Sequence, residues 1–354
     1  MNVLYLINHA GKGGTEKYVE MLAKNLIKKG DTPFLAYNEK GMLVEALEKL
    51  GIKCFFLKMV NPYDINAAIK LAVFCKKLDI DIIHTQFARE NYIALLARFF
   101  GGPRVVYTSH INLVNTFAWK FANFFLARQN SAVIAVCTSA KELLIQNKYP
   151  PKKIQIIFNG VKPIQAQTGV SPAKDPFVFT TLARLSYEKG LMFLLEGIKE
   201  FVKSGTAPNF VIKIAGDGPM AEELRGYIRL YDLQEHVELL GYVVDTKEVL
   251  SQSHIYINSS QNEALSFAIL EAMAQGLPII ATKVGGNVDI IEKGGCGILI
   301  EYGNPKQLAA AMKNMLTNQK LYNQYSKNAK KAIAGTFNIE KTFQQTYDVY
   351  SKVK

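Results

Sequence analysis

The stretch Phe177-Val178-Phe179-Thr180-Thr181-Leu182-Ala183-Arg184-Leu185-Ser186-Tyr187-Glu188-Lys189-Gly190 runs from an apolar segment through a polar loop into an amphipathic segment at 191–202. A short apolar run, a turn and then a 3.6-residue periodicity make a strand followed by a helix. The same unit recurs downstream. Residues 210–215, 237–240, 255–257, 278–281 and 297–300 read as strands, with helices between them such as 220–231. It also recurs upstream, with strands at 3–7, 32–37, 54–57, 80–84, 105–108 and 132–136 and a first helix at 15–29. Strands that are apolar almost throughout and alternate with helices belong to parallel sheets covered on both faces. The expected fold is α/β, two doubly wound parallel-sheet domains in tandem. Residues 161–176, rich in Pro, Gly, Gln and Lys, suit the linker between them.

At 354 residues the chain suits two domains rather than one. It is 49% hydrophobic and 20% charged, which excludes disorder as the default. Cys54, Cys75, Cys137 and Cys296 are scattered and suggest neither a disulfide framework nor a zinc site. The opening residues lack the basic start of a signal peptide, and no apolar run is long enough to span a membrane. A cytoplasmic location, peripheral to the inner face of the membrane, is expected.

The net charge of +12 is unevenly spread. Residues 1–165 hold 22 Lys and Arg against 11 Asp and Glu, while the remainder holds 20 against 19. A basic first half favours anionic lipid, phosphorylated substrates or nucleic acid.

Ligands of open parallel sheets bind beyond the carboxyl ends of the strands. Arg184 follows a strand, and Lys189-Gly190 precedes a helix, which makes an anion site suited to a diphosphate. Asn262-Glu263-Ala264-Leu265-Ser266-Phe267-Ala268-Ile269-Leu270-Glu271-Ala272 follows the strand at 255–257. Ser266 and Phe267 are expected to start the next helix and aim its N–H groups over the strand ends. Glu271 stands within an otherwise apolar helix, where a carboxylate needs partners such as sugar or ribose hydroxyls. Gly216-Asp217-Gly218-Pro219 reads as a tight turn with Asp217 placed as a cap, and Gly285-Gly286 as a turn open to close backbone approach. Ser139-x-x-Glu142 reads as a capping box. After the first strand, Gly11-Lys12-Gly13-Gly14-Thr15-Glu16 fits neither a P-loop nor a dinucleotide fingerprint. The sequence shows no well-placed general base; His9, His84 and His110, at strand ends, are the candidates, and a lone histidine there is often structural.

In this order, Arg184…Lys189-Gly190, Gly216-Asp217-Gly218-Pro219, Glu263-x7-Glu271-Ala272 and Gly285-Gly286 resemble the family 4 retaining glycosyltransferases. Gly13-Gly14-x-Glu16, Asn159-Gly160-Val161 and the His110 region extend the likeness to the whole chain. The resemblance implies two Rossmann-like domains facing a cleft (GT-B). Residues 1–165 would bind the acceptor and 166–336 the nucleotide sugar, with 337–354 a helix crossing back to the first domain. It implies a hexosyltransferase in which Arg184 and Lys189 neutralise the leaving diphosphate. Glu271 would hold the ribose, Glu263 the transferred sugar, and the N–H groups near Leu265, Ser266 and Phe267 phosphate oxygens. Gly13 and Gly14 would close over the donor, Gly216 would line it, and His110 would contact the sugar. No metal or other cofactor is expected. The chain departs from the family pattern at Lys162, Ala264, Ser266 and Asp289, which bears on donor identity more than on the reaction. UDP-sugar is favoured, with GDP- and ADP-sugars as alternatives.

For the acceptor, Phe117, Phe121, Phe124, Phe125 and Arg128 share one face of an expected helix at 116–128. Such a face is either buried or directed to an anionic membrane surface. A glycan or polyprenyl-linked acceptor for surface polysaccharide follows, and no nucleic acid. A nucleotide-sugar epimerase of the same architecture, and a non-catalytic nucleotide-sugar or nucleic-acid binding protein, are the competing readings.

Overall fold

The computed structural model describes residues 1–11, 13–110, 117–164, 176–205 and 209–354, excepting the side chains at 117–119, 121 and 122. The alternation of strand and helix is realised in two parallel sheets. The first contains β1 (Asn2–His9), β2 (Thr32–Glu39), β3 (Lys53–Phe56), β4 (Ile82–Thr85), β5 (Arg104–Ser109), β6 (Ala132–Ala135) and β7 (Ile154–Ile156). They pair in the order β3-β2-β1-β4-β5-β6-β7. Their connections carry α1 (Gly14–Lys28), α2 (Met42–Glu48), α3 (Ile65–Lys77), α4 (Ala88–Phe99), α5 (Phe117–Leu126) and α6 (Thr138–Gln146).

The second sheet contains β8 (Phe177–Leu182), β9 (Phe210–Ala215), β10 (Val237–Gly241), β11 (Ile255–Asn258), β12 (Ile279–Thr282) and β13 (Gly297–Ile300), in the order β10-β9-β8-β11-β12-β13. Helices α7 (Leu191–Lys203), α8 (Ala221–Leu230), α9 (Thr246–Ser251), α10 (Phe267–Ala274), α11 (Gly286–Gly294), α12 (Pro305–Thr317) and α13 (Gln319–Ala334) accompany it, and α14 (Ile339–Val353) follows. The chain divides into two compact units, Met1–Asn159 with Ile339–Lys354, and Gly160–Asn338.

The strands are parallel throughout, as runs such as Val3-Leu4-Tyr5-Leu6-Ile7, buried on both faces, require. In the second unit Phe179, Leu194, Ile212, Ile255 and Ile257 are fully buried in one core. Each such side chain contributes about 1.5–3 kcal/mol relative to exposure. Helix α14 turns Thr342, Thr346, Val349 and Tyr350 into the first unit. Thr342 Oγ1 donates to the Phe158 carbonyl at 2.8 Å, and Tyr350 Oη lies 2.5 Å from His84 Nδ1.

Three local expectations are corrected. The cap of α6 is Cys137, whose Sγ accepts from the Ala140 N–H at 3.4 Å, so Ser139 lies inside the helix. Asp217 does not cap α8; it closes its own turn by accepting from Gly218 N–H at 2.7 Å, and Met220 precedes the helix. Strand β7 was not anticipated, because Ile-Gln-Ile is too short to show a period. Most of the expected linker, 165–175, lies outside the described residues. Among the described residues, no helix is long and apolar enough to cross a membrane.

Candidate active site

In the second sheet the chain runs outward from β8 to β9 and β10, then returns to β11 on the other side of β8. Beyond the carboxyl ends of β8 and β11 the two connections leave in opposite directions and open a crevice. Main-chain pairing of these strands runs through Ile255–Phe179 and Tyr256–Thr180. Further along, the Tyr256 hydroxyl donates to the Leu182 carbonyl at 3.1 Å. Burial raises the pKa of this hydroxyl far above the usual tyrosine value, and the charges of Glu263 and Glu271 raise it further.

Arg184 sits two residues beyond β8, and Lys189 ends a single 3₁₀ turn, Tyr187–Lys189. Lys189 Nζ lies 2.8 Å from Glu263 Oε1, with both side chains half-buried. Ser260 Oγ approaches the same carboxylate oxygen at 3.4 Å. The loops that carry the pair are stitched together. Ser259 Oγ donates to the Lys189 carbonyl at 2.9 Å, and Gln261 N–H to the Glu188 carbonyl at 2.9 Å. The Ser186 hydroxyl holds the Glu188 carboxyl below its usual range, assisted by the charges of Lys189 and Arg184. Sequence thus named Lys189 and Glu263 separately, and the structure joins them.

Ser266 caps α10, its hydroxyl accepting from Ile269 N–H at 3.4 Å. The N–H groups of Phe267 and Ala268 come before that bonded one, at the open end of the helix. Leu265 is buried. Glu271, one turn into α10, accepts from Thr246 Oγ1 at 3.3 Å. Thr246 therefore orients this carboxylate, and Tyr256 bears on both glutamates; neither carried a motif by which sequence could single it out.

The glycine turns bring main chain against main chain. Gly216 has φ 151°, and a Cβ there would stand 1.8 Å from the Ala183 carbonyl oxygen. Its backbone buttresses the loop that carries Arg184, with Leu185 N–H donating to the Asp217 carbonyl at 2.9 Å. Gly285 and Gly286 likewise pack on the backbone of Glu263 and Ala264. Close approach of main chain to main chain requires glycine at these positions.

In the first unit, Gly13 precedes α1 without a side-chain cap and Gly14 begins it. His110, half-buried just beyond β5, donates from Nε2 to Gln86 Oε1 at 3.0 Å, which leaves its Nδ1 as the acceptor. Its ring meets the edge of Tyr18 at 4.9 Å. Burial lowers its pKa to about 3, so the imidazole is neutral at physiological pH. His84 is wholly buried, with both nitrogens engaged by the hydroxyls of Tyr350 and Thr108 (Nε2 to Oγ1, 2.7 Å), an internal strut. Burial lowers it also to about 3. His9 is exposed and faces Glu39. Glu90, in the first turn of α4, is fully buried and accepts from Asn8 N–H; burial raises its pKa to about 7. Among the described residues, no group of three or more His, Cys, Asp or Glu could hold a metal ion.

This arrangement, cations and carboxylates at a switch point beside a capped helix start, coincides with two family matches. Residues 165–332 match the glycosyl transferases group 1 model, and residues 12–164 match the glycosyltransferase family 4 model. The chain belongs to glycosyltransferase family 4. The UDP-Gal:alpha-D-GlcNAc-diphosphoundecaprenol alpha-1,3-galactosyltransferase of Escherichia coli is 28% identical over 345 residues, covering 89% of this chain and 88% of that one. The N-acetylgalactosamine-N,N'-diacetylbacillosaminyl-diphospho-undecaprenol 4-alpha-N-acetylgalactosaminyltransferase of Campylobacter jejuni is 26% identical, covering 90% and 91%. A crystal structure of Anabaena Alr3699/HepE in complex with UDP superposes with a TM-score of 0.87 at 20% identity, covering 99% of this chain and 100% of that one. The two-sheet α/β fold of this family 4 glycosyltransferase is therefore GT-B.

Proposed function

We propose that the chain transfers a hexosyl group, with retention and without a metal, from a UDP-sugar to a sugar carried on a polyprenyl diphosphate in surface polysaccharide synthesis. The bond from C1 to the donor phosphate breaks, and the acceptor hydroxyl oxygen bonds to C1 on the same face. The proton of that hydroxyl passes to the leaving phosphate. Arg184 and Lys189 neutralise the diphosphate, which competes with Glu263 for the Lys189 ammonium. Glu263 then accepts from hydroxyls of the transferred sugar, and Glu271 from the ribose. The N–H groups near Leu265, Ser266 and Phe267 hold phosphate oxygens. In the first unit, neutral His110 would contact the sugar, and Gly13 and Gly14 would close over the donor.

The observation that carries this reading is the Lys189–Glu263 pair at 2.8 Å, held at the strand-end crevice with Arg184 and Glu271. The names of the Escherichia coli and Campylobacter jejuni relatives, both specifying undecaprenol diphosphate carriers, support the acceptor class. HepE, crystallised with UDP, supports the nucleotide. A lipid-linked acceptor and a nucleotide-sugar donor would both be met at the cytoplasmic face of the membrane, which supports a peripheral location there. The test is a thermal-shift series with UDP-, GDP- and ADP-sugars on the wild type and Glu271→Ala. Stabilisation by UDP-sugars that the variant loses is expected. Conversion of the donor to an epimer without acceptor, or an inverted anomer in an NMR time course, would overturn the reading.

A further inference from the structure

Asn287 stands in the first turn of α11, directly after the two glycines that rest on Glu263 and Ala264, and it is wholly buried. Its Nδ2 donates to Asn258 Oδ1 at 3.0 Å and to the Thr282 carbonyl at 3.1 Å. Asn258 ends β11 and Thr282 ends β12, which are neighbours in the sheet, so one amide ties their carboxyl ends together. Both partners pass the constraint to Ser260. Asn258 Oδ1 also accepts from Ser260 N–H at 3.3 Å, and Thr282 Oγ1 donates to the Ser260 carbonyl at 2.6 Å. Ser260 is thus held at both of its main-chain groups, and its hydroxyl is the one that approaches Glu263 Oε1.

Packing does not call for an amide at this position. Buried polar groups are stable when bonded, and Asn287 Oδ1 has no partner among the described residues. Nor do the groups it bonds depend on it. Asn258 Oδ1 keeps the Ser260 N–H, and the Thr282 carbonyl keeps the Val284 N–H at 2.8 Å. An apolar side chain would strand neither of them and would remove the orphaned oxygen. What the amide adds is direction. Its two N–H groups diverge at a fixed angle and set the Asn258 side chain and the end of β12 relative to one another. The loop that benefits is 259–263, which carries Glu263 to Lys189.

We propose that Asn287 is a positioning residue for the sugar half of the donor site. Through Asn258, Thr282 and Ser260 it sets where the Glu263 carboxylate stands. This role rests on Glu263 meeting the transferred sugar, as proposed above. Glu271 is oriented from another side, by Thr246, so the ribose end of the site is set separately.

Two measurements on the full chain test this role. Hydrogen exchange without ligand, read by mass spectrometry, follows residues 259–264. Calorimetry gives the affinities for UDP and for UDP-glucose, UDP-galactose and UDP-N-acetylglucosamine. The variants are Asn287→Ala, Thr282→Val and Thr282→Ser, with Glu263→Gln as the reference. The control is Thr180→Val, which loses a buried bond to Ser253 elsewhere in the same sheet. Asn287→Ala should melt cooperatively and exchange residues 259–264 about tenfold faster than the wild type. It should bind the UDP-sugars about tenfold more weakly, as Glu263→Gln should, while UDP binds within about twofold of the wild type. Thr282→Val should show the same split to a smaller degree. Thr282→Ser, which keeps the hydroxyl, should match the wild type, and the control should alter neither measurement. Unchanged exchange at 259–264 in Asn287→Ala, equal weakening of UDP and UDP-sugars, or an equal effect in the control would overturn the proposal. If Asn287→Ala does not fold, Thr282→Val decides on the same two readouts. A Glu263→Gln variant that binds UDP-sugars as the wild type does would instead strike the donor reading, and the exchange rates would still judge whether Asn287 holds the loop.

Discussion

Gly285 rests directly on the main chain of Glu263. With φ at 48°, a Cβ on Gly285 would stand 1.7 Å from the Glu263 carbonyl oxygen. The next residue donates its N–H to that oxygen at 3.2 Å. The position of the Glu263 carboxylate, and so its contact with Lys189, depends on a residue that offers no side chain at all. Gly285→Ala should push the 263–264 segment away and cost about 1–3 kcal/mol of stability, from the left-handed backbone and the displaced loop together. A lower melting temperature with a fall in kcat of tenfold or more is expected, about 1.4 kcal/mol or more in transition-state terms. Unchanged kinetics in a folded variant would separate the turn from the site.

Lys189 and Glu263 should be energetically coupled. Lys189→Ala removes a charge proposed to act on the leaving diphosphate, and a loss of about 10²–10³ in kcat is expected. In a cycle of Lys189→Met and Glu263→Gln, the double variant should lose less than the sum of the single losses, because each single variant leaves a half-buried partner unpaired. Strict additivity in steady-state kinetics would mean that the 2.8 Å contact plays no part in turnover.

Neutral His110 makes a pH prediction. With its pKa lowered to about 3 by burial, it should add no inflection to kcat/KM between pH 5 and 9. Gln86→Glu would place a carboxylate where Gln86 Oε1 now accepts from His110 Nε2. The charge favours the imidazolium, so the His110 pKa should rise, visible in the NMR titration of its ring protons. A ring that titrates as in the wild type would refute the proposed contact.

Glu90 and the buried histidines pull stability in opposite directions. Between about 3 and the ordinary 6.5, the unfolded chain binds protons on His84 and His110 that the native chain refuses, so their contribution is lost as pH falls through that window. Glu90 is the reverse. Between the ordinary 4.5 and about 7 the native chain keeps a proton the unfolded chain releases, so its contribution is lost as pH rises. Glu90→Gln removes this second effect and retains an acceptor for Asn8 N–H. Its melting temperature should climb more steeply than the wild type's between pH 4.5 and 6.5 and lie above it at pH 8. Parallel melting curves across that range would show that Glu90 ionises freely.

The strand-and-helix alternation, the near-continuous apolar strands and the placing of Arg184, Lys189, Glu263 and Glu271 after strands were legible without coordinates. Each depends on neighbours within about a dozen residues, where backbone period and turn chemistry act. Local competition still misled at Ser139 and Asp217, where a better-placed Cys137 sulfur and a closed turn took over. The remainder belongs to the tertiary structure alone. Whether Lys189 meets Glu263, 74 residues away, depends on β8 and β11 becoming neighbours across a sheet. Whether Tyr350 reaches His84, 266 residues back, depends on where α14 docks. The glycines at 216 and 285 show the division most sharply. Sequence marks them as places where something comes close, and only the packing of two loops reveals that the approaching group is the chain's own carbonyl. Such contacts arise from strand order and loop packing, which no short window of residues encodes.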